Sequence, residues 1–182
     1  MAGTLVVQTL QGPTSGANAN KVIIPSGQTL DASAGGVTLP AGVGGKVLQV
    51  VNYVHASGEV STTSTSLSDT GLTATITPSS TSSKILIVMC QSIASQGQGG
   101  ARVAIFRDAT LLYNLNEKIA YTGAGDGTWN YIGTSSFTYL DSPSTTSAVT
   151  YKTQFKSSTS GQTVVAQVDN DDSSITLMEI AG

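Results

Sequence analysis

Lys84-Ile85-Leu86-Ile87-Val88-Met89-Cys90-Gln91-Ser92-Ile93-Ala94 decides the fold. In an extended strand successive side chains point to opposite faces. Ile85, Ile87, Met89 and Ile93 therefore share one face, and Leu86, Val88, Cys90 and Ala94 share the other. Both faces are apolar. The run is far shorter than the ~20 residues that cross a bilayer as a helix, so a membrane-spanning reading fails. Val47–Val54 behaves alike, with Val47, Val51 and Tyr53 opposed to Leu48, Val50 and Val54. Near the C-terminus Ile175 and Leu177 oppose Met178 and Ile180. Val149–Lys156 differs: Val149, Tyr151, Thr153 and Phe155 alternate with Thr150, Lys152, Gln154 and Lys156, so one face is buried and the other wet.

The rest of the chain agrees with strands. Only 10% of its 182 residues are charged, against roughly 25% in soluble domains. A helical protein would need many Lys, Glu and Arg on its outer faces, and a disordered chain would need high charge and few β-branched residues. Val47–Val54, Thr73–Pro78, Lys84–Ala94, Arg102–Arg107, Trp129–Leu140, Val149–Phe155, Thr163–Val168 and Ile175–Ile180 are the predicted strands, with Leu111-Leu112-Tyr113 returning through an Asp108-Ala109 turn. Strands at this spacing predict an all-β protein, an antiparallel jelly-roll β-sandwich over residues 46–182. Residues 1–45 differ in texture: Lys21 and Asp31 are their only charges, and they hold no aromatic residue. Their short apolar pieces predict an extended or intertwined short-strand segment.

A sandwich has one inner face per sheet, so strands apolar on both faces need a second cover. No helix is predicted to provide it, which leaves a second copy of the chain. Val47, Val51, Tyr53, Ile85, Ile87, Met89, Met178 and Ile180 are the candidate subunit-interface residues. About six such side chains at roughly 1.5–3 kcal/mol each contribute on the order of 10 kcal/mol before entropic costs.

Several segments resemble a known group. Lys46-Val47-Leu48-Gln49-Val50-Val51, Ile76-Thr77-Pro78-Ser79-Ser80-Thr81-Ser82-Ser83-Lys84-Ile85-Leu86, Leu140-Asp141-Ser142-Pro143-Ser144-Thr145-Thr146 and Ile175-Thr176-Leu177-Met178-Glu179-Ile180-Ala181-Gly182 are similar to segments of virion structural proteins from marine tailed bacteriophages. Gly12–Val22 and Ile24–Asp31 resemble the N-terminal stretch of the same group. The strand order is similar to jelly rolls of the tumour-necrosis-factor type, in which such two-sided strands lie together around a threefold axis. The resemblance implies a homotrimeric fibre or decoration protein on the particle surface, attached to capsid or tail proteins through residues 1–45. It implies no active-site residue.

Chemistry is sparse. The few Lys and Arg are dispersed, so there is no basic stripe for nucleic acid. Cys90 is the one cysteine, which excludes a disulfide framework or zinc pattern. His55 lacks any nucleophile-presenting turn nearby and reads as an ordinary loop histidine. Asp169-Asn170-Asp171-Asp172 reads as a turn rather than a calcium loop, and Gly123-Ala124-Gly125-Asp126-Gly127 as a loop without the lysine and helix that hold phosphate. No catalytic residue, metal ligand or cofactor is predicted. Trp129 and Tyr131 share a strand face, with Tyr113 and Tyr121 as candidates to join them, and form the candidate contact for a host cell-surface glycan. A capsid decoration protein and a carbohydrate-binding module of a tail-associated depolymerase are the competing readings.

Overall fold

In the computed structural model the described residues are 14–16, 26, 46–56, 58–97, 99–115, 119 and 130–182, with Asn130 and Tyr131 described by backbone alone. The chain divides into two units, Met1–Gly44 and Gly45–Gly182. Among the described residues, every strand belongs to the second unit: β1 (Val47–His55), β2 (Val60–Thr62), β3 (Ser68–Ile76), β4 (Lys84–Gln96), β5 (Ala101–Arg107), β6 (Thr110–Asn114), β7 (Asn130–Asp141), β8 (Val149–Ser157), β9 (Val164–Ala166) and β10 (Ser173–Ile180). A 3-10 turn spans Val168–Asn170.

The strands form two antiparallel sheets. In one, β4 pairs with β7 along its whole length, while its other edge is shared between β10, which carries β1, and β9, which carries β2. In the other the order is β3-β8-β5-β6. With the short β2 and β9 set aside, the principal sheets are β1-β10-β4-β7 and β3-β8-β5-β6, visited in the chain order of a jelly roll. The three two-sided strands β1, β10 and β4 are neighbours.

Alternation decides the core. Along β8, Val149, Tyr151, Thr153 and Phe155 are buried while Thr150, Lys152, Gln154 and Lys156 are partly exposed. They meet Leu72, Ala74 and Ile76 of β3, Val103 and Ile105 of β5, and Ile85, Ile87, Met89, Ile175 and Leu177 of the opposite sheet in one apolar cluster. The β5–β6 hairpin turns at Asp108 and Ala109, as expected, and Asp108 takes a left-handed φ of 52° that an Asp tolerates.

Three features depart from the expected strands. β3 begins at Ser68 rather than Thr73: its alternation runs unbroken through Thr70, Leu72, Ala74 and Ile76, across a register shift between Asp69 and Thr73 that Gly71 supports at φ +88°, but its first inward residues, Ser68 and Thr70, are polar and carry no apolar signal. β2, unpredicted, is a three-residue strand, below the length at which a pattern is legible. The segment expected as Thr163–Val168 is strand only over Val164–Ala166, and its end curls into the 3-10 turn through left-handed Gln167.

The middle of the core is polar but paired. Thr153 Oγ1 donates to Gln91 Oε1 at 2.9 Å and lies 2.5 Å from Thr70 Oγ1. Gln91 Nε2 donates to Ser173 Oγ at 2.9 Å, so these fully covered hydroxyls and amides satisfy one another.

Candidate functional site

Cross-strand partners in an antiparallel sheet share a face, so the register of β1-β10-β4-β7 gives the composition of each side row by row. The inner rows are Gln49-Glu179-Ile85-Asp141, Val51-Leu177-Ile87-Tyr139 and Tyr53-Ile175-Met89-Phe137. The outer rows are Val50-Met178-Leu86-Leu140, then Asn52-Thr176-Val88-Thr138, then Val54-Ser174-Cys90-Ser136. Val47 pairs with Ile180 at one end, where a register shift exposes Val47 and Leu48 together, and Ala94 pairs with Ile132 at the other.

At the Ala94 end Val165 and Val168 cover this face and bury Ala94, whereas over the rows from Val47–Ile180 to Val54–Ser136 no described element covers it. Val50 is 56% exposed and Val47, Leu48, Leu140 and Ile132 are each 49% exposed. Among the described residues of these outer rows the one charge is Lys84, at the corner opposite Ile180. A half-exposed patch of Val, Leu, Ile and Met, interspersed with uncharged Asn, Ser and Thr and with one charge at its corner, is the kind of surface that partners bury.

The eight interface candidates are split by this geometry. Val47, Met178 and Ile180 lie on the outer side. Ile85, Ile87 and Met89 are at most 2% exposed and fill the core, so they have no surface to offer a second chain. Val51 also packs against the core, and Tyr53, in an inner row, is 39% exposed at the β1 edge. The correction has a simple cause: when both faces of a strand are apolar, the pattern shows that two covers exist without showing which is the chain's own. Val50, Leu86, Val88 and Leu140, of the opposite parity, take the places that Ile85, Ile87, Met89 and Val51 were expected to hold.

Two buried carboxylates sit in the inner row at the Lys84 end. Glu179, with no exposed surface, accepts from Ser79 N at 2.7 Å, Ser79 Oγ at 2.6 Å and Gln49 Nε2 at 2.6 Å. Burial works to raise its pKa, and the hydrogen bonds from Ser79 and Gln49 outweigh it, holding the carboxyl down at about 2. Asp141 Oδ2 accepts from Arg107 Nη1 and Tyr151 Oη, each at 2.7 Å, tying the two sheets together. Burial first, and then Asp141, push the Tyr151 hydroxyl well above its ordinary value. Both carboxylates are fully engaged in holding strands. Nothing in the alternation marked them as polar pillars, although the parity that places Ile175 and Leu177 inside places Glu179 there too.

The remaining candidates resolve individually. His55 ends β1 rather than lying in a loop, and its ring covers Gly71; a Cβ there would lie 2.9 Å from His55 Cε1. In the Asp169–Asp172 turn, Asp169 N donates to the Glu59 carboxylate at 2.6 Å. Among the described residues no group of three or more His, Cys, Asp or Glu is placed to hold a metal ion. A shallow depression between β3 and β8 is lined by Asp69, Thr73, Lys152 and Thr153. Its Asp69 carboxylate is taken by Lys152 at 2.9 Å and Gln154 at 2.7 Å. Trp129, Tyr121 and Gly123–Gly127 lie outside the described residues, and Tyr131 is placed by its backbone, opposite Ser95. Tyr113 joins other rings: it stacks on Phe137 at 4.9 Å with planes 18° apart, and Phe137 stacks on Tyr139 at 6.0 Å and 18°.

No protein-family model and no curated protein matches the sequence. Among solved structures the chain is similar to one of infectious bursal disease virus Gx strain, at 14% identity and a TM-score of 0.41 over 75% of this chain and 33% of that one. It is similar also to the VP2 subviral particle of infectious bursal disease virus, at 13% identity and a TM-score of 0.39 over 93% of this chain and 45% of that one. This chain thus spans less than half the length of either. Likeness of this grade assigns neither a role nor a partner.

Proposed function

We propose that the chain is a non-enzymatic virion structural protein: a homotrimeric fibre on the particle surface, whose jelly-roll head assembles through the outer face of β1-β10-β4-β7 and whose residues 1–45 attach it to the capsid or tail. The observation that carries this reading is the uncovered apolar face, centred on Val50, Met178, Leu86 and Leu140. A second copy suits it best, since a face with a single charge at one corner is self-complementary without charge matching. Seven exposed Val, Leu and Ile side chains each regain about half of a ~1.5–3 kcal/mol transfer energy, a gross gain of order 5–10 kcal/mol per subunit before association costs. The sequence resemblance to marine-phage virion proteins supplies the particle. Among the described residues Glu179, Asp141, His55 and the Thr70–Thr153–Gln91–Ser173 network are consumed in structure, which favours a mechanical role over a catalytic one.

The test is immunogold labelling of intact, purified particles with antibody to the head. Regular surface decoration of unbroken particles is expected. Purified particles that lack the chain, or display it only after disruption, would overturn the reading.

A further inference from the structure

The side of the sandwich bounded by β6 and β7 holds a second, separate feature. These are the edge strands of their respective sheets. Their side chains are Tyr113 from β6 and Phe137 and Tyr139 from β7, three rings within 6.5 Å of one another and with planes 18° to 35° apart. Phe137 and Tyr139 are half-buried against the core, whereas Tyr113 is 48% exposed. In a chain with only 5% aromatic residues, three are gathered at one rim instead of its centre.

We propose that this three-ring platform binds a neutral pyranose unit of a polysaccharide. A pyranose has a flat C–H face, which is apolar and stacks on an aromatic ring, and a rim of hydroxyls that need donors and acceptors. Both kinds of surface are present here. Tyr113, the exposed member of the stack, supplies the first. The Tyr113 and Tyr139 hydroxyls and the outward N–H and C=O groups of two strand edges supply the second. Among the described residues the cation nearest in the strand order, Arg107 at the end of β5 that pairs with β6, is tied to Asp141 at 2.7 Å, which favours a neutral sugar over a phosphate or acidic one. A protein partner is a poor fit, since a stable interface buries roughly 800 Å² per side and three rings offer much less. The platform lies at the β7 edge and between the sheets, apart from the outer face proposed for assembly, so the two functions coexist in one particle. Three such sites held in one trimer would act by avidity, which makes weak single-site binding sufficient.

The experiment is saturation-transfer NMR and calorimetry on the full chain with a panel of neutral oligosaccharides built from glucose, galactose, mannose and N-acetylglucosamine. At least one is expected to bind, with transfer to its ring C–H protons. Tyr113→Ala is expected to weaken it by about tenfold or more, while Leu111→Ala, on the outer face of the other sheet, leaves it unchanged. Circular dichroism establishes that each variant is folded. Nitration of tyrosine in the unmutated protein gives an independent reading, because bound sugar is expected to protect Tyr113. No binding by any member of the panel, or binding that survives both Tyr113→Ala and the nitration of Tyr113, overturns the proposal.

Discussion

Acid sensitivity should trace to one side chain, Glu179. Its carboxylate has no exposed surface and receives two hydrogen bonds from Ser79 and one from Gln49. Its pKa falls from an ordinary 4.5 to about 2 on folding. A depressed folded value means that the ionised carboxylate favours the native state. That contribution is complete above about pH 4.5 and is lost as pH falls towards 2. At about 1.4 kcal/mol per pKa unit the full shift corresponds to about 3 kcal/mol. Rearrangement of the Ser79 and Gln49 donors around a protonated carboxyl recovers part of this, so about 1–2 kcal/mol is expected. Glu179→Gln keeps the shape and an acceptor for Ser79 but removes the charge and turns an amide towards Gln49. Urea unfolding at fixed protein concentration, followed at pH 7, 4 and 3, should show the variant about 1–2 kcal/mol less stable at pH 7, with the gap closing as the pH falls. A gap that stays constant from pH 7 to pH 3, or widens, would refute the reasoning, because a neutral Glu179 would then be as useful as an ionised one.

Other perturbations probe the remaining supports. Tyr151→Phe removes the donor that helps hold Asp141, at 2.7 Å, and should cost about 1–2 kcal/mol in thermal or urea unfolding; a neutral result would remove the inter-sheet clasp from the account. Gly71→Ala adds a Cβ 2.9 Å from the His55 ring at a φ of +88°, and should cost about 1–2 kcal/mol and shift the His55 proton resonances; unchanged stability would show that the bulge relaxes freely. Cys90, exposed in the middle of the outer face, is a native reporter: a thiol reagent should modify it quickly at high dilution and slowly where the chain is assembled. Equal rates at both concentrations would count against coverage of that face.

The alternation of β8 and the two-sided character of β4 were enough to imply two sheets and a second cover, because period-2 patterning is imposed directly by the pleat. Which face is internal was not legible. Ile87 and Val88 are equally apolar, and the choice depends on how β10 and β7 twist against β3-β8-β5-β6, a tertiary matter. Thr70 shows another limit: the inward position of that part of β3 is a hydroxyl satisfied by Thr153, so a strand that keeps its alternation shows no apolar signal over Ser68–Thr70. Glu179 was within reach of pattern reasoning, since it shares parity with Ile175 and Leu177. Its partners Ser79 and Gln49 are distant in sequence, so its satisfaction was not. The aromatic platform depended on β6 and β7 being edges on the same side, which only the strand order reveals.

We propose that Val50, Met178, Leu86 and Leu140 face another copy of this chain, and sedimentation velocity on Val50→Asp and Leu140→Asp decides it. Both sites are about half exposed in the single chain, so an Asp there does little to the fold itself, unlike one at the fully buried Ile87. The unmutated protein should sediment at three times the 18.5 kDa chain mass, and both variants as folded monomers with unchanged circular dichroism. An unmutated protein that sediments as a monomer, or variants that keep the full assembly, would contradict the account.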